Sequence, residues 1–313
     1  METDITQAAP TLDVTVSIVN WNTRDYLRQC LTSVFEQDGQ LSLEVNVVDN
    51  ASVDGSAEMV RSEFGDRVKL IAMPQNVGFA TAQNQSIRQA RGRYVFLLNP
   101  DSYLVAPDSL RKMVEFMDAN RDIGFLGPKV LNPDGTLQYS ARRFPTMLAA
   151  GFRHTLLGRL FPNNAFVRRY LMTDWAHDRI ADVDWLSGSA LLARKEMIDQ
   201  IGLLDERFYM YLEDVDWCRR AHEAGWRVVY FPDVSVVHKI GGASDQNPVE
   251  MIKEHHRSML RYFLKYNSKS PRILLLPLVL VGLWLRTRSR LRLLHQDREK
   301  DNHLRQNSGT SRG

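Results

Sequence analysis

The chain has almost no cysteine. Of its 313 residues only Cys30 and Cys218 carry thiols. They lie far apart in segments of helical periodicity, so neither disulfide nor metal-ligand spacing is present. The pattern predicts inert packing thiols and a reducing compartment. Long hydrophobic runs are missing too. The apolar C-terminal segment has thirteen uncharged residues between Arg272 and Arg286, roughly 20 Å of helix against the roughly 30 Å of a bilayer core. A spanning helix is not expected, and Pro277 argues further against one straight span. The opening METDITQAAPTLD has no basic n-region and no apolar h-region, so no signal peptide is expected and the protein is expected to stay inside the cell. There is no low-complexity segment and no internal repeat. No Gly-rich loop bearing Lys or Arg follows the first apolar run, which disfavours a triphosphate-binding loop.

What is present is enough apolar material, 44% of residues, for one large domain or two ordinary ones. The net charge of +3 is unevenly placed: residues 265–313 carry eleven Lys and Arg against three acids, or +8, which leaves −5 for residues 1–264. A slightly acidic globule with a basic tail is not a uniformly basic nucleic-acid binder, so no nucleic-acid partner is expected.

Along the chain, β-branched runs alternate with helical spacing. VTVSIVN, LEVNVVDN, VKLIAM and YVFLL read as strands, and LRQCLTSVFEQ, VDGSAEMVRSEF and FATAQNQSIRQA as helices between them. That alternation predicts βαβ units and a parallel sheet, with ligands at the carboxyl ends of its strands. Those ends read WN, DNAS and NPD. Further on come a helix at LRKMVEFMDAN, a strand at IGFLGPKV and a turn at NPDG, residues 132–135. Residues 145–182 read as irregular and are expected to hold an acceptor-facing insertion. VDWLSGSALLARKEMIDQIG then reads as a strand and a short helix, and WRVVYFP and VSVVHKIGG as strands or strand ends.

Five places carry candidate chemistry. Asp101, just past YVFLL with Asn99 before it, is a solvated loop acid or one ligand of a hard divalent cation that also binds phosphates. Asp49, ending VNVVD, either meets a base or ribose or caps the following turn. His238 ends an apolar strand ahead of Lys239, Ile240 and two glycines. A lone histidine is commonly structural, but close to Asp101 a neutral imidazole could complete a metal site, and the loop after it could close over phosphates. Asn76 and Gly78 are turn and cap residues, or a helix start facing an anion. The packet YLEDVDWC places Glu213, Asp214 and Asp216 within four positions. Acids gather at helix starts because they complement the helix dipole, and a catalytic carboxylate could sit among them.

The succession VSIVNWN, VVDNAS with Asp54 after it, NVGFATAQNQSI, FLLNPDS, WLSGSALLARKE, YLEDVDWCRRAHEAGW and VVH resembles bacterial glycosyltransferase family 2, and within it the rhamnosyltransferase-like branch. The resemblance covers about residues 14–265. It implies a GT-A fold, an α/β structure with a mixed, mostly parallel sheet flanked by helices. The expected layout is a disordered N-terminus at 1–13, a catalytic domain at 14–265 (nucleotide-sugar half 14–105, acceptor half 106–265) and a basic, apolar C-terminal helical tail at 266–313. It also implies an inverting, metal-dependent sugar transfer from a nucleoside diphosphate. The family's metal motif falls on Asn99-Pro100-Asp101, with Asn in place of the first Asp, so the metal role carries to Asp101; His238 takes the place of the metal- or phosphate-contacting histidine. Glu213-Asp214 matches the family's acidic pair, which makes Asp214 the expected base. Val19 to Asn22, with Trp21 beside the base, and Asp49 are the expected base and ribose contacts.

Glu213 and Asp216 are expected to orient Asp214, hold the acceptor or raise the pKa of the base. Mg²⁺ or Mn²⁺ is the expected cofactor. A dTDP- or UDP-sugar, with L-rhamnose favoured, is the expected donor, and a lipid-linked saccharide or polysaccharide precursor of the cell envelope the expected acceptor; a homo-oligomer is left open. Arg286, Arg288, Arg290 and Arg292 beside Trp284 favour a tail lying on the anionic inner face of the cell membrane over one buried against the domain. A run of transmembrane helices for a processive synthase is missing. The alternative function is an inactive sugar-nucleotide or glycan-binding scaffold of the same fold. Retention of both Asp101 and Asp214 discriminates, since a binder needs neither.

Overall fold

The computed structural model describes residues 12–152, 158, 160–239, 241–242 and 246–309. Most of the expected N-terminal segment, residues 1–11, lies outside them. The main sheet is built from β1 (Val14–Asn20), β2 (Leu43–Asp49), β3 (Val68–Ala72), β4 (Tyr94–Leu98), β5 (Ser102–Leu104), β6 (Ile123–Leu131), β7 (Ala190–Arg194) and β8 (Arg227–His238). Their order across the sheet is β3-β2-β1-β4-β7-β6-β8-β5. The first four are mutually parallel. β7 runs antiparallel to both β4 and β6, β6 and β8 are parallel, and β5 closes the edge antiparallel to β8. The expected mixed sheet flanked by helices is the observed one.

The apolar runs are continuous because these strands are covered on both faces. In β4, Tyr94, Phe96 and Leu98 join one core with Leu27, Leu31 and Val34 of helix α1 (Arg24–Phe35) and Leu110, Met113 and Met117 of α3 (Ser109–Ala119). Val95 and Leu97 point the other way, into a second core with Ile87 of α2 (Phe79–Ile87), Met197 of α4 (Lys195–Ile201) and Trp217 of α5 (Glu213–Glu223). The period of two thus sorts one strand into two cores. β1 is more polar on its second face: Ser17 donates to Ser86 and accepts from Gln83, both at 2.5 Å.

Two segments differ from their expected form. WRVVYFP and VSVVH are one strand, β8, whose pairing with β6 shifts register between Phe231 and Ser235; the bulge absorbs Pro232 and Asp233, which interrupt the apolar run. Residues 145–182, expected to be irregular, hold short helices at Met147–Phe152 and Ala165–Leu171, the second capped by Asn164, whose side chain accepts from Val167 N at 2.9 Å.

After α6 (Pro248–Asn267) a 3-10 turn at Pro271–Leu275 leads into α7 (Leu276–Gly309). Pro277 falls in the first turn of α7, where a missing N–H leaves nothing unpaired, so it does not interrupt the helix that follows. No helix among the described residues is long and apolar enough to cross a membrane. Thr287 ties α7 to α6 through His256 at 2.7 Å. Leu278, Val281 and Leu285, spaced three and four apart on another face, remain more than half exposed, as does Trp284.

α6 is also tied to α5 by charge. Asp216, fully buried, pairs with Arg220 at 3.0 Å and Lys265 at 2.5 Å and accepts from Tyr266 Oη at 2.7 Å; Lys265 reaches Asp205 as well, at 2.7 Å. Removing Asp216 takes from Arg220, Lys265 and Tyr266 the one buried carboxylate that they share. Asp216→Ala is therefore expected to lower the unfolding free energy by about 3 kcal/mol in urea titration. An unchanged midpoint would mean that the network does not hold the two helices together.

Candidate active site

A cleft of about 890 Å³ opens along the carboxyl ends of β1, β2 and β4, where an α/β sheet is expected to bind its ligand. Val19 near the end of β1 and Trp21 just after it line the cleft, with Asn50 after β2, and Asn99, Pro100 and Asp101 after β4. Asp49 lies one layer beneath. It is 4% exposed, accepts from Asn20 Nδ2 and Ser52 N, both at 3.0 Å, and does not line the cleft. Strand alternation turns its neighbour Asn50 outward instead. Asn22 is likewise outside the cleft lining, with φ +52° and its side chain accepting from Val53 N at 2.7 Å.

The 76–79 turn is locked to the stretch that precedes the acidic packet. Asn76 Oδ1 accepts from Asn50 Nδ2 at 2.9 Å, Tyr209 Oη at 2.8 Å and Gly78 N at 3.0 Å, and Phe79 N donates to Tyr209 O at 2.7 Å. Gly78 sits at φ +84°, and a Cβ there would lie 2.6 Å from the Tyr209 ring and carbonyl. Only glycine tolerates both the dihedral and the approach. Asn76 and Gly78 both line the cleft.

Tyr211 and Leu212 then adopt φ of +70° and +65°, a conformation costly for side chains of their size, and turn the chain into α5. The packet is split by this turn. Glu213 and Asp214 line the cleft, while Asp216 lies in the α5–α6 ion network described above. Asp214 accepts from Gly188 N at 3.1 Å and Val215 N at 2.8 Å. Burial pushes its carboxyl above the ordinary 3.8, against the pull of those two N–H groups and of Arg142. Glu213 is 6% exposed and its Oε2 has no hydrogen-bond partner among the described residues. Burial, then the charge of Asp214 and lastly that of Asp216, hold it well above the ordinary 4.5. Two adjacent acids thus sit at one helix start, one held by N–H groups and one with an oxygen that lacks a partner among the described residues.

The cation-binding candidates meet because of strand pairing. His238, the last residue of β8, is opposite Ser102 at the start of β5, and Lys239 N donates to Asp101 O at 2.9 Å. His238 Nε2 lies 3.3 Å from Asp101 Oδ1 and 3.4 Å from Asn99 Nδ2. Asp101 Oδ2 accepts from Gly242 N at 3.2 Å, whereas the buried Oδ1 has no hydrogen-bond partner among the described residues. An orphaned carboxylate oxygen beside an imidazole nitrogen, open to a cleft, fits a hard divalent cation. Such an ion often takes only one or two protein ligands and fills its remaining positions with water and phosphate oxygens. Among the described residues no group of three or more His, Cys, Asp or Glu could hold a metal, so the protein's share here is this pair.

The family model for glycosyl transferase family 2 matches residues 15–175. The N-acetylglucosaminyl-diphospho-decaprenol L-rhamnosyltransferase of Mycobacterium tuberculosis is 32% identical over 227 residues, which cover 69% of this chain and 73% of that one. The chain belongs to glycosyl transferase family 2. It is a transferase of the rhamnosyltransferase-like kind. Its fold is shared with the mannosyltransferase PcManGT of Pyrobaculum calidifontis, solved with GDP-Man and Mn²⁺ (TM-score 0.57, 20% identity, 91% of this chain and 74% of that one). It is shared as well with S. aureus TarS 1–349 in complex with UDP (TM-score 0.51, 18% identity, 80% and 66%).

Several residues of the transferase's cleft had no signal in the sequence. Asn50 is masked by its acidic neighbour, and Tyr209 by the packet it precedes. Gly188 gains its place only through the pairing of β7. The cleft is lined as well by Arg142, Tyr170 and Trp185, with the Arg142 guanidinium 5.0 Å from the Trp185 ring centre. Met251 and Met259 of α6 and Arg286 of α7 also line it, so the tail contributes directly to the cleft wall.

Proposed function

We propose that the transferase moves a sugar, with L-rhamnose the leading candidate, from a dTDP- or UDP-sugar to a lipid-linked saccharide of cell-envelope glycan synthesis, with inversion at the anomeric carbon. The observation that carries this reading is the arrangement of one cleft. A carboxylate tied down by two backbone N–H groups, Asp214, and a cation-compatible pair, Asp101 with His238, open onto the same space. The acceptor and cell-envelope parts are supported by the printed activity of the mycobacterial relative, and the nucleotide-sugar class by the ligands of the solved structures.

On this reading the nucleotide lies along Val19, Trp21, Asn50, Asn76 and Gly78, with Asp49 and Asn22 holding the loops beneath it. Asp214 takes the proton of the acceptor hydroxyl as that oxygen bonds to the anomeric carbon. The bond from that carbon to the diphosphate breaks on the opposite face, and the diphosphate leaves with the electron pair. Gly188 and Val215 N–H each occupy one Asp214 oxygen, fixing the carboxylate plane for the transfer. Glu213, held toward its neutral form, donates to an acceptor oxygen. Asp101 and His238, with Asn99 beside them, would hold the divalent cation, whose Lewis acidity would offset charge on the departing diphosphate. The apolar face of α7, with Leu278, Val281, Trp284 and Leu285 exposed, rests on the membrane that carries the acceptor.

Asp214→Asn is expected to lower kcat by roughly 10²–10⁴-fold while leaving nucleoside diphosphate affinity near normal. Substantial residual transfer would move the base role to Glu213. Because only the ionised form of Asp214 accepts the proton and burial raises its pKa, kcat/KM should rise with pH through a limb above the ordinary aspartate value of 3.8. Removing residues 268–313 should release the transferase from anionic phospholipid vesicles in flotation; unchanged binding would refute the membrane role of the tail.

A further inference from the structure

The NPDG turn and the short strand after it have no part in the reaction described so far, yet they end on the cation pair. Asn132 to Gly135 close a tight turn, with Gly135 N donating to Asn132 O at 2.9 Å and Asn132 N to Thr136 O at 2.8 Å. The chain then pairs back on β6, Gln138 opposite Val130. β6 lies beside β8, with Leu131 opposite Val237, so Gln138 arrives next to His238.

The side chains form a hydrogen-bond chain whose direction is set at its far end. Asp134 is exposed, and its hydrogen bonds from Thr136 hold its carboxyl below the ordinary aspartate range, so it only accepts. Thr136 Oγ1 must then donate to Asp134 Oδ1, at 2.6 Å, and can take the amide of Asn132, whose Nδ2 lies 2.9 Å away. That leaves Asn132 Oδ1 to accept from Gln138 Nε2, at 2.9 Å; the same Nε2 reaches His238 O at 3.3 Å. Gln138 Oε1 consequently faces His238 Nδ1, at 2.7 Å, and an amide oxygen can only accept. A neutral His238 would accordingly carry its single proton on Nδ1.

A neutral ring so held presents a bare lone pair at Nε2. Asn99 Nδ2, a donor, lies 3.4 Å from it, in agreement with that tautomer, and Asp101 Oδ1 lies 3.3 Å away. Two electron-rich atoms at that separation have a common requirement for positive charge. We propose that Gln138 is a positioning residue for the cation pair: oriented by the Asp134–Thr136–Asn132 chain, it fixes His238 in the Nδ1–H tautomer and aims Nε2 at the seat shared with Asp101. The proposal rests on the cation-binding reading of Asp101 and His238. Histidine ligands are commonly oriented by such outer partners, whose loss costs roughly 10–100-fold in metal affinity.

The test separates the two claims. In the full-length protein without metal, ¹⁵N NMR of the histidine side chains, at a pH well above the ordinary histidine pKa of about 6.5, reports the His238 tautomer; its signals are assigned by their loss in His238→Gln. Wild type should show Nδ1–H. Gln138→Leu should lose that preference, and Gln138→Glu, which keeps an acceptor facing Nδ1, should restore it. Mn²⁺ binding in the presence of UDP, followed by electron paramagnetic resonance, should weaken roughly 10–100-fold in Gln138→Leu and recover in Gln138→Glu. Asn132→Ala, which removes the link at one remove, should give an intermediate loss if Gln138→Leu does not fold. Persistence of the Nδ1–H form with unchanged Mn²⁺ affinity in Gln138→Leu or Asn132→Ala would overturn the proposal and leave the cation pair standing. Absence of Mn²⁺ binding in wild type would instead remove the cation reading, and the tautomer measurement would still decide whether Gln138 orients His238.

Discussion

The register of β7 against β4 is the constraint on which the site depends. Ala190 lies opposite Leu98, so the residues just before β7 meet the residues just after β4, and Asn99 N donates to Ser189 O at 2.9 Å. One residue earlier, Gly188 N holds the Asp214 carboxylate. A short backbone path therefore connects the loop that bears Asp101 to the carboxylate at the start of α5. An antiparallel strand beside β4 is what makes this path possible, because it brings a strand's beginning, and not its end, to the ligand-binding edge of the sheet. A slip of one residue would turn every side chain of β7 to the opposite face and displace Gly188 from Asp214.

Charge is separated along the same elements. Asp216 is neutralised behind α5 by Lys265 and Arg220, which anchors α6 without drawing on the cleft. Two residues earlier, Asp214 faces the cleft with no ion pair among the described residues and a carboxyl raised by burial. Asp101 has one oxygen held by Gly242 N and the other without a hydrogen bond among the described residues. Neighbouring acids with different surroundings take different tasks: one structural, one suited to accept a proton, one suited to bind a cation.

Much of this was legible in the sequence, for local reasons. The βαβ alternation follows from hydrophobic period and turn residues, and the strand ends WN, DNAS and NPD mark the edge where the cleft lies. The acidic packet reads correctly as a helix start. Long-range pairing was less accessible. The meeting of His238 and Asp101 depends on β5 folding back along β8, and three residues, Ser102 to Leu104, are too few for a periodic signal. Asp49 and Asn50 differ only in which face of a strand end they occupy, and an acid attracts more notice than the amide that lines the cleft. The division of the packet follows from two residues in left-handed conformations, Tyr211 and Leu212, which no turn-forming residue type announces. Gln138 is an ordinary polar residue until its hydrogen-bond chain is traced.

The proposed function requires that the Asp101–His238 edge of the cleft bind a nucleoside diphosphate through a divalent cation. Calorimetric titration of a panel of nucleoside diphosphates and their sugars, with and without Mg²⁺ or Mn²⁺, on wild type and Asp101→Ala, tests it most directly. Binding that requires the metal and is lost in Asp101→Ala is the predicted result, and the nucleotide that binds best identifies the donor. Binding of equal strength without metal and in the variant, or no binding of any nucleotide to wild type, would contradict it.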